Sequence, residues 1–347
     1  MAEARRLGLE KGHDMIRKTL IFLLVAAMPL TVFSKATAIF KGSWGLGPSA
    51  PWVLHEAPVH PRSAAMAHAT TALRGASETM FDNPANMAMM DHSYDVTLAH
   101  REWIADILFY QGSIALRPAG GRYGTFGLTF WREDFGEEEF VFIADNDSGY
   151  ISELFHMYCQ SIGLGYALSP IRSLSVGGHV RYMKEHFLPE KYPERHSYIM
   201  DIDNDLIAYD LGLSYRTGLR SLLIGLVCRN YWRNAEEQEL AYVVEAGAAM
   251  DLLDLVPLNL HRHSLVVALD RVYTRGGDKQ LEIGAEYAFS ETVFIRGGYR
   301  GPVDPPERNL GAGLRVPLGR VSLQLDYARG HVDHFGDVNR FAIQLLY

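Results

Sequence analysis

The chain has 347 residues, 48% of them hydrophobic, with 18 Tyr, 16 Phe, 32 Gly and a formal net charge of −8. Length alone admits one large barrel or two soluble domains. The acidic balance argues against a nucleic-acid partner, because there is no basic stripe to neutralise phosphates.

Residues 1–38 read as a secretory signal. Arg17 and Lys18 precede the apolar run Thr19 to Phe33, which ends at the small-x-small site Ala36-Thr-Ala38. Cleavage there takes six of the 33 basic and three of the 41 acidic side chains, leaving 27 against 38, net −11. An uncleaved anchor, and a true start at Met15 instead of Met1, stay open. No later segment is an apolar spanning helix, since even Ser221 to Val227 is soon broken by Arg229. If the protein sits in a membrane, strands do the spanning.

Residues 39–92 are rich in Ala and Met and differ from all that follows. Pro61 opens an expected helix that stops near Gly75, and a second short helical stretch follows Asn83-Pro84. Their small side chains suit close packing in a confined space. This segment is therefore expected to be a plug in a barrel lumen, with an exposed arm as the alternative. Its methionines Met66, Met80 and Met87 could present an adaptable apolar surface to a ligand, or simply pack against the wall.

From residue 93 to the end, short segments alternate apolar and polar. In Val321-Ser-Leu-Gln-Leu-Asp-Tyr327, Val321, Leu323, Leu325 and Tyr327 share one face while Ser322, Gln324 and Asp326 share the other. Fourteen such strands can be drawn, near 93–101, 105–117, 122–133, 154–168, 172–187, 206–216, 220–231, 241–250, 262–272, 279–289, 292–301, 308–316, 319–329 and 338–347. An even number, with apolar residues toward lipid and polar ones toward the lumen, predicts an all-β transmembrane antiparallel barrel in an outer membrane.

The connections 134–153, 188–205 and 232–240 are long and acidic, while 169–171, 217–219 and 317–318 are tight. Because such barrels keep short turns on the periplasmic side, both termini are expected in the periplasm of a diderm bacterium. The long, Leu-rich stretch Asp251 to His261 breaks this rule and suggests a short interfacial helix. The chain ends on Phe341, Leu345 and the terminal aromatic Tyr347, a pattern similar to the signal read by barrel-assembly machinery.

A tight turn over Ser290-Glu-Thr292 sets Phe289 opposite Val293. Glu286 then faces Arg296 and Glu282 faces Arg300 in the lumen. Catalytic signals are sparse. His261-Arg-His263 and His331-Val-Asp-His334 lack a clear third ligand for a metal, and Ser264 beside His263 points to the opposite side of its strand. Gly276-Gly277, Gly297-Gly298 and Gly311-Ala-Gly313 have no strand-loop-helix context for phosphate, so they mark bends or room for the plug. Cys159 and Cys228 fall on opposite faces and read as free thiols. No cofactor, metal or catalytic residue is assigned.

Ala72-Leu-Arg-Gly-Ala76, Asn83-Pro84-Ala85, Tyr209-Asp-Leu-Gly-Leu-Ser-Tyr215, Arg229-Asn230, Leu269-Asp270, Ile283-Gly-Ala-Glu-Tyr287, Ile295-Arg-Gly-Gly-Tyr299 and Leu325-Asp-Tyr327 occur in an order and spacing that resembles the PorV/PorQ proteins, outer-membrane barrels related to the FadL transporters. The resemblance implies fourteen strands around an N-terminal plug, with Asn83, Pro84 and Ala85 where plug meets wall. It also implies two candidate roles. The first is a non-enzymatic carrier of secreted proteins that meets type IX-like secretion components. The second is a channel for hydrophobic small molecules. A surface lipid hydrolase is a distant third.

Overall fold

The computed structural model describes residues 59–103, 106–143, 150–186, 205–231, 242–256, 260–274, 279–302, 307–332 and 336–347. The expected leader and arm, and the connections 188–204 and 232–240, lie outside these.

Fourteen strands form one closed antiparallel barrel. They are β1 (Tyr94–Glu102), β2 (Leu108–Leu116), β3 (Thr125–Ile143), β4 (Tyr150–Ile171), β5 (Leu174–His186), β6 (Asp205–Arg216), β7 (Leu223–Tyr231), β8 (Val243–Asp251), β9 (His263–Thr274), β10 (Lys279–Phe289), β11 (Val293–Gly301), β12 (Glu307–Leu318), β13 (Val321–Val332) and β14 (Gly336–Leu346). Strands follow one another around the wall, and β1 closes on β14 from Asp95 opposite Leu346 to Glu102 opposite Asn339. Closure satisfies every strand edge from within, which is the condition for crossing a hydrocarbon layer with strands. No helix among the described residues is long and apolar enough to do so.

The period of two sorts the two faces. Leu98 (62% exposed), Leu164, Leu211, Ile295, Leu310 and Ile343 point outward, whereas Asp95, Thr97, Arg101, Gln111, Glu133, Asp270, Arg296 and Gln344 point inward and are buried. Aromatic residues ring the two ends of the outer surface. Tyr94, Phe126, Tyr166, Tyr215, Phe289 and Tyr347 lie toward the end that holds the C-terminus, and Tyr110, Tyr182, Tyr209, Tyr231, Tyr299, Tyr327 and Phe341 toward the other. Such girdles place amphipathic rings at the level of lipid headgroups. Phe341, Leu345 and Tyr347 all face outward, and the Tyr347 carbonyl accepts from the Ser93 and Tyr94 amides at 2.7 and 3.1 Å. Cys159 is buried on the inner face and Cys228 is half-buried on the outer one, and both are free.

Three features differ from the sequence reading. The expected loop 134–153 is largely strand: β3 and β4 pair out to Ile143 and Tyr150, across a bulge at Asp134 and Gly136 where Gly136 has φ 83°. Asp134 and Gly136 read as loop formers, but here they accommodate an extra residue in a continuing ribbon. Among its described residues, the Leu-rich connection after β8 holds the short 3₁₀ turn Leu252–Leu255, capped by Asp251, in place of a longer helix.

The third is the helix from Pro61. It covers only Pro61–Ala65 (α1), because Ala67 (φ 49°) and His68 (φ 71°) take left-handed conformations and turn the chain at once. Its Ala-rich sequence has helix propensity, but tertiary contact overrides it. The Met66-Ala67 backbone is pressed onto the barrel wall at Gly284 and Gly298. Two more 3₁₀ segments follow, Ser77–Phe81 and Pro84–Met89, the latter capped by Asn83. Residues 59–90 thus lie inside the barrel, against its polar inner face.

Candidate functional site: a plugged lumen

Glycines on the inner wall come in directly opposed pairs on neighbouring strands: Gly127 with Gly165, Gly177 with Gly212, Gly225 with Gly247, and Gly284 with Gly298. Each pair removes two side chains from one patch of wall and so makes a shallow socket. The plug fills all four. Met80 and Met87 seat on the first, Asn83, Pro84 and Ala85 on the second, Thr71 on the third, and Met66-Ala67 on the fourth. A Cβ on Gly177 would stand 2.5 Å from Pro84 C and Ala85 N, and one on Gly284 2.6 Å from Met66 O. These are backbone atoms with no room to yield.

Polar contacts lock the seated plug. Asn83, fully buried, donates to Thr71 O at 2.8 Å, Leu213 O at 3.2 Å and Ser214 Oγ at 3.3 Å, while its own Oδ1 accepts from the Ala85 amide at 3.1 Å. The Thr71 amide donates to Asp270 Oδ2 at 2.8 Å and its hydroxyl to Glu245 Oε2 at 3.0 Å. The Ser77 amide donates to Asp95 Oδ1 at 3.0 Å.

Arg62 of α1 reaches the wall with both Nε and Nη2 at 2.9 Å from the two oxygens of Glu286. Glu286 also meets Arg296 at 2.6 Å, and Arg296 continues to Asp326 at 2.5 Å. The result is an Arg62–Glu286–Arg296–Asp326 chain, in which plug and wall share one carboxylate. Glu282 pairs with Arg300 at 3.2 Å, and Arg300 also donates to Gln280 at 2.7 Å. Arg62 as the third member was invisible in the sequence, since 224 residues separate it from Glu286.

Met66, Met80 and Met87 are all fully buried, but in two groups. Met80 and Met87 share an apolar cluster with Ala76, Ala115 and Ala167, and Met66 packs with Ala69, Leu73, Met89 and Leu223. Their sulfurs and methyls serve as contacts to the wall.

Asp82 titrates within the plug. Burial pushes its carboxyl up to about 6, against Arg229, which lowers it, and with Glu245, which raises it; Ser63 Oγ donates to it at 3.1 Å, and Thr70 also hydrogen-bonds to it. A raised carboxyl pKa means that the docked plug favours the protonated form. Stability is therefore greatest below about pH 4, the ordinary carboxyl range, and declines as pH rises through about 6. The unfolding midpoint measured from pH 4 to 7 should show this decline, and Asp82→Asn should flatten it; superimposable profiles would contradict the assignment.

Thr129, His179 and Asp210 align as a hydroxyl–imidazole–carboxylate relay, with Thr129 Oγ1 2.8 Å from His179 Nε2 and His179 Nδ1 3.1 Å from Asp210 Oδ2. All three are enclosed, and Arg181 holds Asp210 at 2.9 and 3.0 Å, so the relay braces the wall. His263 instead contacts Tyr287 Oη at 2.7 Å. No group of three or more metal-ligating side chains forms among the described residues.

Beyond the plug, toward the end opposite the termini, one cross-strand row runs along the inner wall. Arg340, Arg101, Phe109, Glu133, Cys159 and Glu185 are successive partners on β14, β1, β2, β3, β4 and β5. Phe109 and Trp131 meet edge to face at 5.9 Å. Val59, Phe81, Trp103, Ile107 and Phe135 complete a close-packed apolar cluster, the cup, to which the plug contributes Val59 and Phe81. The Arg101 guanidinium lies 3.5 Å from the Phe109 ring centre and 4.7 Å from that of Trp103. No sequence motif singled out this cup. Its signal was the inward phase of Phe109, Trp131 and Phe135 on strands whose inner face is otherwise polar.

The closed wall and inner plug define a class, the plugged fourteen-stranded barrel. Among solved structures, the chain is similar to the CymD monoaromatic hydrocarbon channel (TM-score 0.50, 13% identity, 83% of this chain and 96% of that one). It is also similar to the toluene transporter TbuX of Ralstonia pickettii (TM-score 0.52, 12% identity, 82% and 96%). No protein-family model and no curated protein sequence matches the chain. The likeness is one of fold.

Proposed function

We propose that this protein is an outer-membrane conduit for apolar small molecules, gated by its plug. One observation carries the reading: an aromatic cluster toward one end of the inner wall, with plug residues Val59 and Phe81 packed into it. A static polar interior has no use for five aromatic side chains, whereas a pathway for apolar solutes needs such a surface. The two structural neighbours named above, a monoaromatic hydrocarbon channel and a toluene transporter, support it.

In this reading residues 1–38 are a signal peptide, both termini face the periplasm, and Phe341, Leu345 and Tyr347 present the chain to barrel-assembly machinery before meeting lipid. Passage requires the plug to shift, and the glycine sockets and the Arg62–Glu286 pair are what must release. The role of a PorV-type carrier for secreted proteins rests on the motif resemblance. It would use outer connections such as 188–204, which lie outside the described residues.

Expression in a diderm host that takes up toluene slowly tests the proposal. Uptake should rise several-fold above that of a host carrying the empty vector. Equal uptake with the folded barrel present in the outer membrane would defeat it.

A further inference from the structure

We infer that the cup selects neutral aromatic molecules bearing a hydroxyl, such as phenols, over plain hydrocarbons, with Glu133 as the acceptor. This rests on the conduit reading and adds the chemistry of its solute.

Glu133 is fully buried on the inner face of β3, between Phe109 on one neighbouring strand and Cys159 on the other. Neither of its carboxylate oxygens has a hydrogen-bond partner among the described residues. A buried acceptor left unmade costs more than an average hydrogen bond returns, so a donor arriving from a ligand is strongly favoured there. The residues around it are aromatic: Phe109, Trp131 and Phe135 belong to the same cluster.

Charge narrows the ligand further. Arg101 and Arg340 stand directly opposite each other on β1 and β14, and Arg101 is one strand beyond Phe109. Two guanidiniums on this side disfavour a cation. Glu133 and Glu185, on either side of Cys159, disfavour an anion. A neutral donor meets neither penalty. Arg101 and Glu133 flank Phe109 from strands two apart, about 10 Å between backbones at the usual strand spacing. Once the plug residues Val59 and Phe81 withdraw from the cluster, a ring seated against Trp131 and the partly exposed Phe135 can therefore donate its hydroxyl to Glu133. A hydrocarbon of the same shape gains the aromatic contact but leaves the carboxylate unsatisfied.

The test is a fluorescence titration of the purified full-length barrel in detergent, with Trp103 and Trp131 as reporters in the cup. The probes are p-cresol and toluene, matched in shape apart from the hydroxyl. The wild type should bind p-cresol about tenfold more tightly, as satisfying a buried acceptor allows. Glu133→Leu should bring the two within about threefold, with toluene binding held or improved, and Glu133→Gln should fall between. If Glu133→Leu does not fold, the wild-type ratio and the Gln variant decide. Equal binding of the two probes by the wild type, or an unchanged ratio in the variants, overturns the selectivity while toluene binding keeps the conduit. Saturable binding of neither probe overturns both.

Discussion

Replacing Gly177 by alanine should cost about 1–3 kcal/mol of barrel stability, the usual range for overpacking, while the same change at the adjacent Gly178 should be neutral or slightly stabilising. The two glycines are neighbours on β5 and point to opposite faces. A methyl on Gly177 meets the Pro84-Ala85 backbone at 2.5 Å, whereas one on Gly178 finds nothing nearer than Leu211 Cδ2 at 3.6 Å. In the unfolded chain both substitutions remove similar backbone freedom, so their difference isolates the plug contact. Denaturant midpoints of the two variants measure it. Equal midpoints would mean that the plug does not seat on this socket.

Arg296→Met should be more damaging, by about 3–5 kcal/mol, the cost of breaking a buried pair from one side. Arg296 lies between Glu286 at 2.6 Å and Asp326 at 2.5 Å. Its loss leaves Asp326 without its cation and makes Glu286 depend on Arg62 alone. Adding Asp326→Asn should recover part of the loss, because it removes the stranded charge, and the double-mutant cycle should show strong coupling. Additive effects would argue that the network is not one unit. Arg62→Met cuts the same chain from the plug side. It should cost less, since Glu286 retains Arg296, but it should loosen the plug.

The wall was legible because its information is local. Alternation such as Val321 to Tyr327 depends only on the period of two, and the turn over Ser290 to Thr292 placed Glu286 opposite Arg296 and Glu282 opposite Arg300, the register of the structure. The plug was legible only in part. Its Ala-rich start reads as a helix through Gly75, yet Ala67 and His68 break it so that the backbone can reach Gly284 and Gly298. That constraint comes from the opposite wall, more than two hundred residues away.

The glycine pairs illustrate the same limit. The inward phase of Gly127 and Gly165 could be read from their strands, but that they form a socket depends on pairing, and that Met80 and Met87 fill it depends on tertiary packing. Glu133 sat at the edge of a stretch resembling an acidic loop. Only the register of four neighbouring strands places it in a row with Arg101, Phe109 and Cys159.

The conduit reading is tested most directly by purifying the mature protein from outer membranes in mild detergent and analysing extracted small molecules and co-eluting proteins by mass spectrometry. A near-stoichiometric apolar small molecule, with no secretion component or secreted protein retained, is the expected result. Co-elution of secreted proteins with a barrel that holds no small molecule would contradict the conduit and favour the carrier.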